Sequence, residues 1–240
     1  MKKLTLILLS VFLLFSCNKS EDDTGTLQMQ YKLTYQGDPL IMNKDYSYGD
    51  WELFFSRFHF LISHIYLMGS EGDFSVEKYD RISFTEPNLD SVKAEEGITY
   101  TYPEIKTGEY TGIRFGIGLD EQTNAMTPSD FSTDHILGNS GDYWAPWESY
   151  IFTKTEGKVF LESGEPPVGF AFHTGGNDAF REVNFPGYVS ITPNYTTTVT
   201  FEIDLYEVLQ NEDQPIDLSS HQTAHTENDK FLMDDIMDNL

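Results

Sequence analysis

Residues 27–35 read LQMQYKLTY, in which large apolar side chains alternate with polar ones over the whole stretch. Because successive side chains of a strand point to opposite faces, this alternation predicts a strand with one buried face and one face in water. The alternation recurs at 113–117 and 199–205, and turn residues such as glycine, proline and aspartate separate the segments. Short strands with such turns are typical of a sandwich or barrel. We therefore predict an all-β protein, an antiparallel β-sandwich.

Segment 53–67 is apolar and aromatic almost throughout and favours one long strand, with a bulge left open, although its composition also suits a helix. Helical signals are confined to two places. Residues 127–137 suit a helical turn with Pro128 in a first-turn position. Residues 228–240 suit one short C-terminal helix, because their apolar side chains fall on one stripe. With no repeat and no internal linker, residues 27–240 are predicted to form a single domain.

The N-terminus resembles a bacterial lipoprotein signal peptide. Two lysines precede an apolar run at 4–15, which is too short to cross a bilayer comfortably. The letters LFSC that end at Cys17 resemble a lipobox, so residues 1–17 are predicted to be a signal peptide whose Cys17 receives lipid. The alternative is an ordinary signal peptide with an accidental cysteine. Residues 18–26, NKSEDDTGT, are predicted to be a flexible acidic tether, and the protein is expected in the cell envelope, anchored in the periplasm or on the outer-membrane surface.

Composition excludes several classes of function. The chain has 15 basic and 39 acidic residues, a formal charge of −24, which should repel nucleic acid and anionic membrane surfaces. Cys17 is the only cysteine, so the mature chain has no internal disulfide, no thiolate ligand and no cysteine nucleophile. The aromatic content of 15% indicates a packed core rather than disorder.

The sequence carries no motif of a known enzyme class. It has no Gly-x-Ser-x-Gly elbow, no His-Glu-x-x-His pair and no phosphate-binding glycine loop. A pair of carboxylates for glycoside hydrolysis could come from any of the 39 acids and stays an alternative. We predict that the protein is not an enzyme.

Histidines and tryptophans are the candidate site residues. His59 and His64 lie five positions apart in the long predicted strand, which places them on opposite faces unless a bulge intervenes. His173 ends a strand-like segment before a glycine-rich turn, a favourable place for a binding residue. Each of these could instead be a hydrogen-bonded core histidine. Trp144 and Trp147 lie on a loop shaped by an intervening proline, and they could either pack or form an aromatic surface.

Five segments resemble, in the same order, the motifs of the MbnP-like family of copper-associated periplasmic proteins and lipoproteins. They are FHFLISHIYL at 58–67, GEYTGIRFGIGLD at 108–120, Asn124, the segment 143–157 and FHTGG at 172–176. The resemblance implies a β-sandwich. In some members, one copper ion is bound by histidines together with a kynurenine, which a MauG-like di-haem peroxidase makes by oxidising a tryptophan.

Carried over residue by residue, the resemblance implies His173 as a copper ligand and His64 as a second one, with His59 as a further candidate. It implies Trp144 as the oxidised residue, with Trp147 beside it. Three positions depart from the family pattern. An aspartate, Asp142, replaces the usual methionine, Pro146 separates the tryptophans, and Ser149 replaces a glycine.

Two hypotheses follow. The first is a lipid-anchored protein that binds or handles copper in the cell envelope, with a membrane contact through its lipid and a di-haem peroxidase as partner. The alternative is a surface lipoprotein that binds glycan or protein through Trp144 and Trp147.

Overall fold

The computed structural model describes residues 23–162, 164–211, 214–224 and 229–240. The predicted signal peptide, Cys17 and residues 18–22 of the tether lie outside the described residues. The strands are β1 (Thr24–Tyr35), β2 (Asp38–Pro39), β3 (Asp45–Tyr48), β4 (Trp51–Met68), β5 (Phe74–Ser83), β6 (Ile98–Lys106), β7 (Gly108–Ile117), β8 (Tyr143–Trp144), β9 (Ser149–Phe160), β10 (Val168–Gly175), β11 (Arg181–Ile191), β12 (Thr196–Asp204), β13 (Gln210–Asn211), β14 (Gln214–Pro215) and β15 (Thr223–Ala224).

The helices are short. The α-helices are α1 (Ser91–Glu96), α2 (Glu121–Asn124), α3 (Leu205–Val208) and α4 (Lys230–Asn239), and single 3₁₀ turns cover Pro87–Leu89, Pro128–Asp130, Ile136–Gly138, Ser140–Asp142, Ala145–Trp147 and Asn177–Ala179. No helix in the described part of the chain has the length and apolar character needed to cross a membrane.

Two sheets make the sandwich. The larger sheet runs β11-β7-β4-β9-β10-β15, with β3 and β5 also paired to β4 and β8 to β9, while the smaller sheet contains β12, β1, β2 and β6. Most pairs are antiparallel, but β1 pairs with β12 and β10 with β15 in parallel. The predicted β-sandwich with one short C-terminal helix is confirmed, and the two parallel pairs are the difference from a purely antiparallel arrangement.

The core lies between the sheets, where alternating residues of β1 meet aromatic residues of β4. Leu27, Met29, Tyr31 and Leu33 are all buried, as their alternation predicts. The ring of Tyr31 contacts that of Phe60, with 6.4 Å between centroids. The face of the larger sheet that points toward β1 is therefore occupied by packed apolar side chains. Polar side chains of this sheet lie on its opposite, outer face.

Strand β4 is a single long strand, so the helical alternative for 53–67 is wrong. Its pairing is irregular between Phe55 and Arg57 and again between Ser63 and Tyr66. At the second irregularity His64 has a φ of 53°, a left-handed conformation that is uncommon for a non-glycine residue. Such bulges shift the alternation of side chains between faces.

Residues 120–148, here called the covering segment, lie over the outer face of the larger sheet. Tyr150 of β9 donates a hydrogen bond from its hydroxyl to Leu137 O at 2.8 Å, and Arg81 of β5 reaches Asp142. Pro128 begins a 3₁₀ turn, as predicted for this segment. Short turns that begin with a proline or an asparagine cap keep the backbone of this segment close to the sheet. Its acidic side chains can therefore contact side chains of the strands.

The N-terminal bound of the sheet differs slightly from the predicted one, and the C-terminal helix agrees with its predicted apolar stripe. Strand β1 begins at Thr24, so 24–26 of the predicted tether belong to the sheet. At the other end, Leu232 and Ile236 of α4 are buried, which agrees with the predicted apolar stripe.

Candidate functional site

Two histidines and a lysine form one row across three adjacent strands of the larger sheet. Lys154 of β9 is the Cα partner of His59 on β4 and of His173 on β10. Directly opposite residues in a sheet share a face, and adjacent strands lie about 4.8 Å apart, so the two histidine Cα atoms are separated by about 10 Å. Sequence reasoning singled out both histidines but not the lysine between them.

The ammonium group of Lys154 is held under the covering segment. Lys154 is only 6% exposed. Its Nζ donates to Asp142 Oδ1 at 3.0 Å and to the carbonyl oxygen of Gly141. A buried ammonium requires a charge partner and hydrogen bonds, and the 3₁₀ turn Ser140–Asp142 supplies both.

Asp142 is the centre of a buried ionic cluster. Besides Lys154, its carboxylate accepts hydrogen bonds from Arg81 Nη1 at 2.7 Å and from Asn139 Nδ2 at 3.3 Å. Burial by itself would raise the pKa of Asp142, but neighbouring His59 and Lys154 outweigh burial and hold the pKa of this carboxyl well below its usual value. Asp142, which replaces the methionine usual in the family, therefore holds the covering segment on the sheet through its ion pairs with Lys154 and Arg81.

His59 has an unsatisfied ring nitrogen. Its Nε2 lies 3.4 Å from Asp142 Oδ1, without the alignment of a hydrogen bond. This buried Nε2 has no hydrogen-bonding partner among the residues that the structure describes. Native structures rarely leave a buried polar atom unpaired, so an imidazole nitrogen in this state is a candidate for binding a ligand.

His173 is oriented by a carboxylate. Its Nε2 lies 2.9 Å from Glu156 Oε1, and Arg57 Nη1 contacts the same oxygen at 3.2 Å. The side chain of His173 is one-fifth exposed. A carboxylate that fixes the ring of a histidine in this way is a common second partner of metal-binding imidazoles.

His64 lies away from this row. Five residues of strand separate it from His59, which corresponds to about 15 Å, and its Nε2 is 2.7 Å from Asp120 Oδ2. Partial burial alone would raise the pKa of Asp120. The hydrogen bonds from His64 and Thr123 outweigh this effect and lower the pKa of Asp120 to about 2. The histidine nearest to His173 across the sheet is thus His59, and the predicted pairing of His173 with His64 is not the arrangement found.

The bulge in β4 changes the predicted geometry of the two histidines. Both imidazoles reach carboxylates of the covering segment, His59 that of Asp142 and His64 that of Asp120. The odd spacing alone would place them on opposite faces, and the left-handed residue at His64 removes that alternation. Across the described ranges, no group of three or more His, Cys, Asp or Glu side chains lies close enough to hold a metal ion by itself.

The tryptophans lie near the end of β10 that carries His173. Their rings are 6.4 Å apart at an angle of 67°, so they do not form one flat platform. Trp144 is 39% exposed. A methyl group at Gly175 would lie 3.1 Å from Cζ3 of Trp147, so this indole packs two positions beyond His173. The indole of Trp147 therefore lies at the end of β10, where it also borders Lys230 and Met233 of α4.

Two other motif residues have structural roles. Asn124 Oδ1 accepts hydrogen bonds from the backbone N–H of Tyr150 and from the Ser149 hydroxyl. The Ser149 oxygen in turn accepts from the Gly176 N–H at 2.9 Å. Ser149, another departure from the family pattern, thereby ties the covering segment to the turn after β10.

A cleft of about 410 Å³ lies beside Trp147. It is bounded by Pro146, Trp147, Gly175, Gly176, Asn177, Asp178, Ala179, Lys230, Met233 and Asp234. Lys230 Nζ is 3.1 Å from Asp234 Oδ2 and 3.5 Å from Asp178 Oδ2. The cleft thus combines an indole edge with polar and charged groups.

Sequence reasoning missed Lys154 and Arg81, the cations of the buried cluster. One local signal was present for Lys154, because it is the only charged residue in the stretch YIFTKT at 150–155. A lysine inside an otherwise uncharged stretch of six residues indicates a buried partner, since an ammonium is rarely buried alone. Its partner, Asp142, is twelve residues away in the sequence, so no local pattern links the two.

The fold and the placement of the motifs define a two-sheet β-sandwich with a histidine row on the outer face of its larger sheet. The chain belongs to the MbnP family, whose model matches residues 24–230. Its structure is similar to that of MbnP from Methylosinus trichosporium, with a TM-score of 0.51 and 11% sequence identity over 78% of this chain and 77% of that chain. At this identity the likeness concerns the fold. A comparison with curated protein sequences finds no match.

Proposed function

We propose that this protein is a non-enzymatic, lipid-anchored copper-binding member of its family in the cell envelope, and that His59 and His173 hold the metal. The observation that supports this proposal most directly is the row in which both imidazoles flank one position of β9, with Nε2 of His59 buried and without a hydrogen bond in the described part of the chain. The lipid anchor is proposed on Cys17 and rests on the lipobox-like sequence.

The donor set suits copper. Imidazole is a good copper ligand, and the chain offers no thiolate outside Cys17. Glu156 would keep the ring of His173 oriented. Asp142 is already held by two cations, so the metal is expected on the two imidazoles, a number of ligands that monovalent copper accepts. Copper, when bound, would supply a redox-active centre or a cargo for transfer.

Trp144 is the residue that we propose as the target of a MauG-like di-haem peroxidase. Its indole is the more exposed of the pair, so an external protein oxidant reaches it more easily than Trp147. Conversion to kynurenine cleaves the C2–C3 bond of the indole in a four-electron oxidation that consumes two equivalents of hydrogen peroxide at the peroxidase, and water then hydrolyses the resulting formyl group and releases one carbon as formate. The net change is one oxygen gained and one carbon lost, which a peptide mass spectrum detects.

Copper titration of residues 18–240 tests the proposal. We expect one equivalent of Cu(I) to bind in competition with a chromogenic chelator, and His59→Ala or His173→Ala to weaken binding by at least about 100-fold, in the range of losing a whole ligand rather than a supporting contact. His64→Ala is the matched control and should leave the affinity unchanged. Binding that is absent, or that depends on His64 alone, would contradict the proposed ligands. Mass spectrometry of protein from the native host reports separately on Trp144.

A second candidate function is favoured by the cleft beside Trp147. An indole edge together with Asn177, Asp178 and Lys230 suits a neutral saccharide, which stacks on aromatic rings and hydrogen-bonds to polar side chains. Calorimetry with neutral oligosaccharides should then show binding that Trp147→Ala abolishes. The rival outcome, no heat with the wild-type protein, would leave only the copper proposal.

A further inference from the structure

We infer that a cavity between the two sheets is a binding site for a small, uncharged molecule with one aromatic ring. The cavity has a volume of about 200 Å³ and lies between β7 of the larger sheet and β12 of the smaller one. The inference is independent of the proposed copper function, because the histidine row lies on the outer face of the larger sheet and the cavity lies on its core side.

Aromatic rings form the walls of the cavity. The ring of Phe185 lies 5.4 Å from that of Phe115 and 4.9 Å from that of Phe201, measured between centroids. Tyr31 and Phe60 complete the aromatic part of the lining. Aromatic rings prefer offset-stacked or edge-to-face contacts with other rings. The walls therefore favour an aromatic ligand over a saturated one of the same size.

The sandwich is open along one side, and this opening leads to the cavity. In the described part of the chain, β11 pairs only with β7 and β12 only with β1. Thr197 Oγ1 donates to Ser190 O at 2.6 Å and joins β12 to β11 at one end of this side. Further along, Phe185 is 42% exposed although its ring contacts Phe201. Phe185 therefore lies at the mouth through which a ligand reaches the cavity.

The size and lining of the cavity indicate what fills it. Protein interiors are closely packed, and an empty cavity lowers stability in proportion to its volume. Water is a poor occupant because it needs several polar partners, whereas the buried part of the lining consists mainly of side chains such as Phe60, Ile117 and Ile203. An apolar cavity of about 150 Å³ is large enough to bind benzene, so this cavity fits one ring.

The mouth of the cavity favours a neutral ligand. Thr200 and Glu202 border the cavity, and both are exposed. The Glu202 carboxylate and the formal charge of −24 on the chain disfavour an anion, and any ionic group would lose its hydration among the aromatic rings. A neutral polar group such as a hydroxyl can stay at the mouth while the ring enters.

The experiment follows isoleucine methyl signals by NMR while residues 18–240 are titrated with benzyl alcohol. We expect the signals of Ile117 and Ile203 to shift with a Kd of about 1 mM, which is reasonable for a ligand of eight heavy atoms. The signals of Ile105, which is buried outside the cavity, should not shift. Cyclohexylmethanol, a saturated molecule of similar size, should bind about threefold to tenfold more weakly. Benzoate should bind at least about tenfold more weakly because of its charge.

Three variants test the location of the site. Ile203→Trp places a larger side chain in the cavity and should lower the affinity for benzyl alcohol by at least about tenfold. Thr198→Trp is the matched control, because it adds the same side chain at an exposed position of the same strand, and it should leave the affinity unchanged. Phe185→Ala removes a ring at the mouth without emptying the buried core and should weaken binding by about threefold to tenfold. Thermal melts confirm that each variant is folded.

Each outcome decides the inference. Benzyl alcohol that leaves the signals of Ile117 and Ile203 in place would overturn it. Equal affinities for benzyl alcohol and cyclohexylmethanol would also overturn it, because the cavity would then select a ligand by size and not by its ring. An unchanged affinity in Phe185→Ala would place the binding elsewhere, and this test remains decisive if Ile203→Trp fails to fold. The copper titration is a separate measurement, so either proposal can fail alone.

Discussion

Asp142→Asn is expected to lower the free energy of unfolding by about 3–5 kcal/mol at pH 7, the usual cost of removing one partner from a buried ion pair. The carboxylate is 3% exposed and is the charge partner of both Lys154 and Arg81. The amide keeps the shape of the side chain but leaves the buried ammonium without a counter-charge. Urea denaturation followed by tryptophan fluorescence measures the change, and Asp178→Asn, at an exposed site with one long ion pair, should remain within about 0.5 kcal/mol of the wild-type protein.

The ionic contacts of Asp142 also predict how the stability of the protein depends on pH. The pKa of Asp142 in the folded protein lies below that of an unfolded aspartate, so the carboxylate contributes stability that is complete above about pH 4 and is lost as the pH falls toward the folded pKa. The stability difference between the wild-type protein and Asp142→Asn should therefore be constant from pH 7 to about pH 5 and shrink below about pH 4. A difference that grows on acidification would refute the assigned ionic role.

Gly118→Ala should lower the free energy of unfolding by about 2–5 kcal/mol, because two costs add. Gly118 has a φ of 88°, a conformation that strains any residue with a Cβ. A methyl group at this position would also lie 2.3 Å from Cδ2 of Phe152, inside the packing under the covering segment. Thermal or urea unfolding measures the loss.

Gly37→Ala separates those two costs. Gly37 has a similar φ of 84°, but a methyl group there would meet no atom within 4 Å. Its substitution should therefore cost only the backbone strain, about 1 kcal/mol. Equal losses in the two variants would mean that the contact with Phe152 relaxes freely, and the crowding explanation for Gly118 would fail.

Local patterns were sufficient to predict much of the fold. The alternation at 27–35 predicts β1, and the apolar run at 53–67 predicts the long strand β4, because side-chain periodicity is written into neighbouring residues. The parallel pairing of β1 with β12 joins residues about 170 positions apart. Periodicity carries no information on such pairing, so the strand order could not be predicted from it.

The site was predictable only in part for the same reason. His59, His173, Trp144 and Trp147 were identified by residue type, and the structure aligns the two histidines across β4, β9 and β10, while Trp147 lies beside Gly175 at the end of β10. Their arrangement depends on the register of three strands and on one bulge at His64, which shifts the alternation that sequence spacing assumes. The burial of Lys154 and Arg81 could not be predicted, because it depends on the carboxylate of Asp142, which the covering segment places above them.

The parallel pairing of the first and last long strands has a consequence for biogenesis. Strand β1 is made first, yet its neighbour β12 (Thr196–Asp204) leaves the ribosome late. Folds dominated by such distant pairings form slowly, so the nascent polypeptide stays open, with an unprotected β1 edge, until synthesis is nearly finished. A truncated product ending before Thr196 would expose that edge permanently and should aggregate.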